Sequence, residues 1–554
     1  MEKWLQKSIN SIGQAFENIV RTYPDKEALV FREQRLTYKQ LGDYVNQFAK
    51  GLIKVGVKKG DHVAIWNTNN LEWLYAQFAV HKLGATVIPV NTRNRALELE
   101  YVLQQADCNT LIFKDNFLGK IDTVSMVNGI MPALQNSESG KLAEKKLPLL
   151  KNVICLSDRE YSGMFNFREI IQLGSGNSND QELAKAVAAT SPDDIGYIMY
   201  TSGTTGTSKG AMIPCRNTLA LCYQYNHFHM LNEKSRVICA APLHSNFGCN
   251  TSLLTAFLCG ACACVLESWD TEEAFNLIQK EKISHLIVVP SMAIMMFNHP
   301  KLADYDLTSI EVWSSGGAPL PKELARAFME KLQIKLLVHG YGLVEGAGII
   351  STCSTQEAPI DVVATTVGKP WPYCRIKIVD PVTSEEVPDG KDGEIWSADN
   401  SNPPCHVMKG YYNKPKETAE TITDGWLRTG DMGAIRDGSL TITGRLKDMI
   451  LVGGFNVFPV EIEDVIRTHP KVKDASVVGI PDQRLQEVPM AFIQLKEGEE
   501  STEAEMIDFC RDKMSNLKVP RYIRFLTEFP LAGVGKVQKF RLREMAVKEL
   551  NLGS

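Results

Sequence analysis

The chain has 554 residues, of which 44% are hydrophobic and 23% are charged, and its formal net charge is −5. This length corresponds to about three or four domain-sized units, and the 40 glycines and 25 prolines are too few for a collagen-like or broadly disordered protein. The nearly balanced charge argues against a protein dominated by nucleic-acid binding.

The N-terminal segment MEKWLQKSIN has no basic stretch followed by a long apolar run, so it predicts no signal peptide. The longest apolar stretch, 253–266, is interrupted by Thr255 and Gly260 and is too short to cross a bilayer. The chain ends in Leu-Gly-Ser, which is not a peroxisomal address. These features predict a cytoplasmic, multi-domain protein.

Strand-like apolar segments alternate with helix-like segments through most of the chain. The strand-like segments are 62–66, 86–90, 110–113, 236–242, 285–290 and 335–342, and the first helix-like segments are 71–83 and 96–105. Such alternation predicts parallel sheets covered by helices, an α/β fold. Residues 118–185 have a poorer pattern and contain GSGNSND at 174–180, so we predict a loop or insertion there.

After Ile395 the sequence changes to glycine- and aspartate-rich turns with short strand signals, followed by a helix-like segment at 460–468. We therefore predict an N-terminal domain at 1–444 and a C-terminal domain at 445–554, which is long enough for its own core. Residues 511–554 carry a net charge of +6. This basic tail indicates either a solvated helix face or a surface that meets phosphates.

Thirteen cysteines are scattered without a repeated spacing. Cys259, Cys262 and Cys264 lie in LCGACACV, where apolar small residues favour a buried strand over a metal or redox site. His227 and His229 flank Phe228, but the sequence offers no evident third ligand, so we favour packing over metal binding there.

The segment YTSGTTGTSKGAM, residues 200–212, follows a strand-like YIMY and is rich in Gly, Ser and Thr. Glycines let the backbone approach a ligand and expose amide donors, while hydroxyls and one ammonium complete an anion cradle. The segment is not a Walker A loop, because Lys209 lies between Ser208 and Gly210. The pattern predicts a phosphate-binding loop.

This segment closely resembles the phosphate-binding signature of the adenylate-forming superfamily, which includes acyl-CoA synthetases, peptide-synthetase adenylation domains and firefly-type luciferases. Further matching motifs follow in the family's order: APLHSNFG (241–248), SSGGAPLP (314–321), HGYGLVEG (339–346), DGWLRTGD (424–431), GRLKDMILVGGFNVFPVEIE (444–463) and GVGKVQKFRLRE (533–544). The resemblance implies a large N-terminal domain of βα-alternating sheets covered by helices and a small, mobile α/β C-terminal domain, with a hinge at Lys447.

The resemblance also implies a reaction in two steps. A carboxylate and ATP give an acyl-adenylate and pyrophosphate, and a thiol then displaces AMP. ATP and CoA are the implied co-substrates, and Mg²⁺ is the implied cofactor. The residues implied for ATP or AMP are Thr201, Ser202, Gly203, Thr204, Thr205, Gly206, Thr207, Lys209, Gly317, Ala318, Pro319, Tyr341, Gly342, Asp431 and Arg445.

Three residues are implied in catalysis. Lys536 would bridge the α-phosphate and the incoming carboxylate, Glu345 would bind Mg²⁺, and His244 would lie between ATP and the acyl group. The sequence departs from the family pattern at Val344, where the family usually has Thr, and likewise at Ala532. The residues implied for the CoA tunnel are Gly453, Gly454 and Phe455.

The acyl group would contact Asn246, Phe247 and Gly316, with Cys249 and Gly317 nearby. Their apolar and small character fits an uncharged acyl group, and VMKGYYNKPKET (407–418) looks most like medium-chain fatty-acyl-CoA synthetases. No acidic residue follows His244 in this motif, which argues against an amino-acid substrate.

Two alternatives stay open: a luciferase-like oxygenase, and an adenylate-binding relative with weak or no catalysis. The expected partners are the carboxylic acid, ATP and CoA, without nucleic acid. Peripheral membrane contact and a homodimer also stay open.

Overall fold

The computed structural model describes residues 10–176, 179–201, 208–453, 455–532 and 536–550, with the backbone alone at Phe455, Asn456, Ala532 and Lys536. These residues divide into two compact units. The first unit runs to Arg375 and includes Ser397–Leu427, and the second comprises Ile376–Trp396 and the chain from Arg428 onward. The predicted functional boundary between residues 444 and 445 stays a prediction.

The first unit contains a nine-stranded sheet. Its strands are, in spatial order, Lys369–Pro370, Gly348–Ser354, Leu336–Leu343, Val312–Gly316, His285–Ile287, Arg236–Cys239, Cys262–Val265, Glu27–Phe31 and Gln34–Thr37. The six strands from Leu336–Leu343 to Glu27–Phe31 are parallel neighbours, and the others pair antiparallel at the two edges. The central strands are apolar and buried, as expected for parallel strands covered on both faces.

A second, seven-stranded sheet lies in the same unit. Its strands are, in spatial order, Lys209–Pro214, Ile195–Thr201, Thr86–Pro89, His62–Trp66, Thr110–Phe113, Asn152–Cys155 and Phe165–Asn166. All neighbours are parallel except the first pair, which is antiparallel. The predicted fold class, parallel sheets with βα alternation, is confirmed.

The α-helices of the first unit are Ile12–Thr22, Tyr38–Lys54, Leu71–Lys82, Ala96–Gln105, Thr123–Ile130, Phe167–Leu173, Asp180–Ala188, Cys215–Phe228, Thr255–Leu258, Thr271–Glu281, Pro290–Phe297, Lys322–Leu332, Ile360–Thr365 and Pro415–Thr421, and Phe247–Leu254 is a π-helix. The short elements are the 3₁₀ turns Pro132–Asn136, Leu302–Asp304 and Val344–Gly346, the paired strands Asn116–Phe117 and Ile121–Asp122, and the strand Ile422–Thr423. Within these described ranges, no helix has the length and apolar character that a bilayer crossing requires.

The prediction of a loop or insertion at 118–185 was wrong in part. This segment contains three α-helices and a buried strand, Asn152–Cys155. Its helices are short, and two of them have side-chain caps; for example, the Asp122 side chain accepts a hydrogen bond from the Ser125 N–H at 2.9 Å. Such short helices show too few turns for a clear apolar periodicity.

The second unit carries strands Gly393–Asp399, Trp426–Arg436 and Ser439–Arg445, with Cys374–Val379 pairing beside them. A further sheet has the order Phe455–Val457, Ile450–Val452, Gln486–Leu495, Val472–Asp482, and Tyr522–Phe525 pairs with Gln486–Leu495. The helices are Pro459–Arg467, Glu503–Arg511 and Lys539–Glu549, the 3₁₀ turn is Leu446–Asp448, and Leu531–Ala532 pairs with Lys536–Val537. The helix predicted at 460–468 is confirmed.

Aromatic and thiol side chains fill the core of the nine-stranded sheet. Trp313 packs edge-on against Phe328 with ring centroids 4.7 Å apart. Cys262 and Cys264 are buried on strand Cys262–Val265, so the interpretation as a buried strand is confirmed for these two residues. Cys259 is half-buried at the end of helix Thr255–Leu258 and lies outside the strand.

A cluster of four charged side chains joins the edge of this sheet to helix Thr271–Glu281. Glu281, whose side chain is 3% exposed, accepts hydrogen bonds from Arg35 at 2.8 Å and from Arg236. Both arginines also contact Glu27, at 2.6 and 2.8 Å. The hydrogen bond from Arg35, followed by the charges of Arg236 and Arg35, lowers the pKa of Glu281 although burial opposes the shift.

We expect Glu281→Gln to lower the free energy of unfolding by roughly 2 to 4 kcal/mol at pH 7, because two guanidinium groups lose a buried anionic partner. A lowered carboxyl pKa stabilises the fold above the unfolded-state pKa, and this stabilisation is lost as pH falls through the folded-state pKa. The deficit should therefore shrink toward acidic pH in urea unfolding. Glu33→Gln is the matched control, because Glu33 pairs with Lys280 on the surface at 3.2 Å and should change stability little. Equal effects of the two variants would contradict this expectation.

Candidate active site

The predicted phosphate-binding loop connects two antiparallel strands of the seven-stranded sheet. Thr201, the last residue of one strand, pairs with Lys209, the first residue of the next. The Tyr101 hydroxyl donates a hydrogen bond to the Ser208 carbonyl at 2.8 Å and thereby holds the end of the loop, where it joins strand Lys209–Pro214. The predicted residues Ser202 to Thr207 lie outside the described part of the chain.

Glu345 lies in the 3₁₀ turn Val344–Gly346, between strands Leu336–Leu343 and Gly348–Ser354. The turn is tight, because a Cβ atom on Gly342 would lie 1.7 Å from the Gly348 carbonyl oxygen. This position therefore requires glycine. The resulting hairpin presents Glu345 only four residues after Tyr341.

One tyrosine contacts both Glu345 and Lys209. The Tyr411 hydroxyl donates a hydrogen bond to Glu345 Oε1 at 2.8 Å. The Lys209 ammonium lies 5.1 Å from the centroid of the Tyr411 ring, within the range of a cation–π contact. The fold thus brings two residues that the sequence assigned to ATP and metal binding to the same aromatic side chain.

The residues predicted for the adenine slot meet at the carboxyl ends of two parallel strands. Gly316 pairs with Gly340, so Gly317 and Tyr341 are the next residues on neighbouring strands. Gly317 has φ +79°, and Gly317, Ala318 and Pro319 are exposed. Open α/β sheets bind ligands at this edge, so the arrangement is suited to a base lying between Tyr341 and the glycine segment.

Two of the residues predicted for the acyl group, Asn246 and Phe247, lie at the start of the π-helix Phe247–Leu254, and the third, Gly316, ends strand Val312–Gly316. Asn246 is the N-cap of the π-helix, and its Oδ1 accepts a hydrogen bond from Asn250 Nδ2 at 2.7 Å. Desolvation and the positive charge of Arg93 lower the pKa of His244 to about 4. His244 is therefore neutral at physiological pH and presents an uncharged imidazole. Long π-helices are rare and often mark functional sites.

Four of the predicted residues are described in the second unit. Asp431 and Arg445 are cross-strand partners, with Asp431 Oδ1 3.0 Å from Arg445 Nε. Asp431 is 7% exposed. Its carboxylate is therefore held beside the Arg445 guanidinium.

Lys447 lies in the turn Leu446–Asp448. Gly453 has φ +58°, and its N–H donates to the Leu485 carbonyl at 2.7 Å.

The remaining predicted residues of this unit are less completely described. Lys536 begins the short strand Lys536–Val537, and Phe455 begins the strand Phe455–Val457. The structure describes only the backbone of these two residues. Gly454 lies outside the described residues. Their assigned roles stay predictions.

Sequence analysis missed Tyr411 and Arg93. KGYY was recognised as part of a family-like motif, but its pattern gave no reason to assign a role to one tyrosine. Among the described residues, no group of three or more His, Cys, Asp or Glu side chains could hold a metal ion.

The chain is similar to known proteins over nearly its whole length. Residues 16–412 match the AMP-binding enzyme family, and residues 461–536 match the AMP-binding enzyme C-terminal domain. The chain is 34% identical over 560 residues to the mitochondrial medium-chain acyl-CoA ligase ACSF2 of Bos taurus, covering 99% of this chain and 89% of the relative. It is also 34% identical over 539 residues to the 3-[(3aS,4S,7aS)-7a-methyl-1,5-dioxo-octahydro-1H-inden-4-yl]propanoyl:CoA ligase of Mycobacterium tuberculosis (strain ATCC 25618 / H37Rv), covering 97% and 99%. A crystal structure of the anthranilate CoA ligase AuaEII with anthranoyl-AMP superposes with a TM-score of 0.83 at 25% identity, covering 97% of each chain.

Proposed function

Since the chain belongs to the AMP-binding enzyme family, we propose that it is an AMP-forming acid–CoA ligase. In the first step, a carboxylate oxygen attacks the α-phosphorus of ATP, forming an acyl-adenylate and releasing pyrophosphate. In the second, the CoA thiol attacks the acyl carbon, forming a thioester and releasing AMP and the thiol proton. The observation that supports this most directly is the convergence of Lys209 and Glu345 on Tyr411.

The first step joins two anions, so electrostatic stabilisation dominates its barrier. We propose that Thr201 to Lys209 bind the β- and γ-phosphates and that Tyr341 and Gly317 to Pro319 enclose adenine. Asp431 accepts hydrogen bonds from the ribose hydroxyls, while Arg445, held 3.0 Å from Asp431, lies toward the ribose and phosphate. Lys536 stabilises the charge that accumulates between the carboxylate and the α-phosphate.

The donor chemistry of the Glu345 turn fits Mg²⁺, because it supplies a carboxylate, a preferred ligand of this cation, with one oxygen fixed by Tyr411. Bound Mg²⁺ would neutralise phosphate charge. Glu345 would hold it, and Lys209 would hold the neighbouring phosphate oxygens.

We propose a medium-chain fatty acid or a similar apolar acid as the substrate. His244, Asn246, Phe247 and Gly316 are themselves uncharged, which suits an apolar acyl group. The medium-chain ligase among the relatives and the chain's acyl-pocket composition support the same class. In the second step, Gly453, Gly454 and Phe455 would line the path of the CoA thiol.

The cytoplasmic location, the peripheral membrane contact and the homodimer stay predictions.

The experiment that tests this function is pyrophosphate release with ATP, Mg²⁺ and carboxylates from acetate to palmitate, plus benzoate and cinnamate. Each acid is assayed with and without CoA, and thioester is detected by mass. CoA-dependent thioester from the C6–C12 acids supports the proposal. Oxygen consumption with an oxidised product would favour the luciferase-like alternative, and adenylate binding without turnover would favour the non-catalytic relative.

Substitution of Val344, which stands where the family usually has Thr, tests whether this difference limits the rate of the first step. Val344→Thr keeps nearly the same volume and adds a hydroxyl next to Glu345, so the adenylation rate should stay equal or rise, by up to roughly 10-fold. Val344→Ala, which adds no hydroxyl, should not raise it. Single-turnover pyrophosphate release measures both variants. A sharp fall in Val344→Thr would mean that the site requires valine.

A further inference from the structure

We infer that Tyr411 is a positioning residue for the phosphate end of the site: its hydroxyl orients the Glu345 carboxylate and its ring holds the Lys209 ammonium. This inference rests on the proposed function, which places Glu345 and Lys209 at the phosphates of ATP. It concerns a residue to which neither the motifs nor the comparisons assign a role.

The hydrogen bond from the Tyr411 hydroxyl fixes one oxygen of the Glu345 carboxylate. Tyr411 Oη donates to Glu345 Oε1 at 2.8 Å, and Tyr411 is 7% exposed. A tyrosine phenol is protonated at neutral pH, so the hydroxyl is the donor in this contact. Oε1 of Glu345 is thereby held in place, and we expect Oε2 to bind the cation. Hydrogen bonds of this kind orient metal-binding carboxylates.

The aromatic ring of Tyr411 contacts the positive charge of Lys209. The Lys209 ammonium is 5.1 Å from the Tyr411 ring centroid, and a cation over an aromatic face is attracted without being neutralised. The ring contact therefore holds the Lys209 ammonium without pairing it with an anion. A carboxylate in the same position would compete with the phosphates for that charge.

The backbone around Tyr411 is attached directly to the two segments that it serves. Tyr411 forms a bridge with Ala211 in the strand that carries Lys209. The hydrogen bonds on either side are Met212 N–H to the Gly410 carbonyl at 2.9 Å, Tyr412 N–H to the Gly210 carbonyl at 2.8 Å and Met408 N–H to the Glu345 carbonyl at 2.8 Å. The Tyr411 N–H also donates to Thr418 Oγ1 at 2.9 Å. Tyr411 is thus held in place before ATP binds.

The test is ATP binding to the full-length protein by calorimetry, in Mg²⁺ and in EDTA. Tyr411→Phe removes only the hydroxyl, so it should weaken ATP binding in Mg²⁺ by roughly 10-fold and leave binding in EDTA nearly unchanged. Tyr411→Leu also removes the ring, so it should weaken binding in EDTA by about 3-fold more than Tyr411→Phe does. Tyr412→Phe is the matched control, because the Tyr412 hydroxyl donates to Asp107 at 3.0 Å instead, and it should match the wild type in both buffers.

Glu345→Gln separates this inference from the function on which it rests. If Glu345→Gln loses the Mg²⁺-dependent gain in ATP binding and Tyr411→Phe retains it, the positioning role is wrong and the proposed function stands. If Glu345→Gln retains the gain as well, the assignment of Glu345 to Mg²⁺ fails and the inference fails with it. Equal weakening of Tyr411→Phe in Mg²⁺ and in EDTA would overturn the inference, because a change in pocket shape alone would have that effect. Equal EDTA affinities for Tyr411→Phe and Tyr411→Leu would overturn the ring contact.

Discussion

Lys536→Ala should reduce acyl-adenylate formation by roughly 100- to 1000-fold while leaving thioester formation from supplied acyl-adenylate largely intact. In the proposed first step, the carboxylate and the α-phosphate are both anionic, and one positioned ammonium between them stabilises the transition state more than the separated reactants. The second step begins from a neutral acyl carbon and a thiol, so it does not need that charge. The two half-reactions should therefore respond differently to one substitution.

Pyrophosphate release and thioester formation from synthetic acyl-adenylate, each under single-turnover conditions, measure the two steps separately. Arg541→Ala is the matched control, because it removes one exposed cation from the same basic tail. It should leave both steps within about 2-fold of wild type, as expected for a solvated surface charge. Equal losses of both half-reactions in Lys536→Ala would refute the assignment of Lys536 to the first step alone.

The sequence predicted those parts of the fold that depend on local patterns. Buried parallel strands such as Arg236–Cys239 and His285–Ile287 appear as short apolar runs, and the helix Leu71–Lys82 was predicted with an accuracy of about one residue. The short helices between 118 and 185 were missed because they depend on caps and tertiary burial rather than on periodicity. The π-helix Phe247–Leu254 has no periodic pattern by which it could be distinguished from an α-helix.

The same distinction applies to the candidate site, where contacts within one motif could be predicted and contacts between distant segments could not. Residues within one motif, such as Thr201 and Lys209, were assigned together because the chain itself holds them together. The hydrogen bond between Tyr411 and Glu345 joins residues that are distant in sequence. It depends on how the segment 408–412 pairs with strand Lys209–Pro214, which no single motif encodes. Spatial convergence of this kind requires the fold.

Lys447→Pro should have the opposite effect to Lys536→Ala: adenylate formation retained, and thioester formation reduced by roughly 100-fold or more. A lysine that is needed between ATP and the carboxylate must leave before a thiol can approach the same acyl carbon. We propose that the C-terminal domain rotates about Lys447 between the two steps. Hinge residues absorb the change in backbone dihedral angles, and proline fixes φ near −65°. The turn Leu446–Asp448 tolerates proline in its first positions, since proline is accepted in the first turn of a helix.

Retained adenylation is the internal evidence that Lys447→Pro has folded, so a loss of thioester formation cannot then be attributed to unfolding. Lys447→Ala is the matched control, because it removes the ammonium and leaves the backbone free to rotate. It should retain both half-reactions within a few-fold. If Lys447→Pro and Lys447→Ala lose thioester formation equally, the side chain rather than the backbone is required. If Lys447→Pro retains both steps, the rotation either occurs at another residue or is unnecessary, and a single arrangement of Lys536 must then serve both reactions.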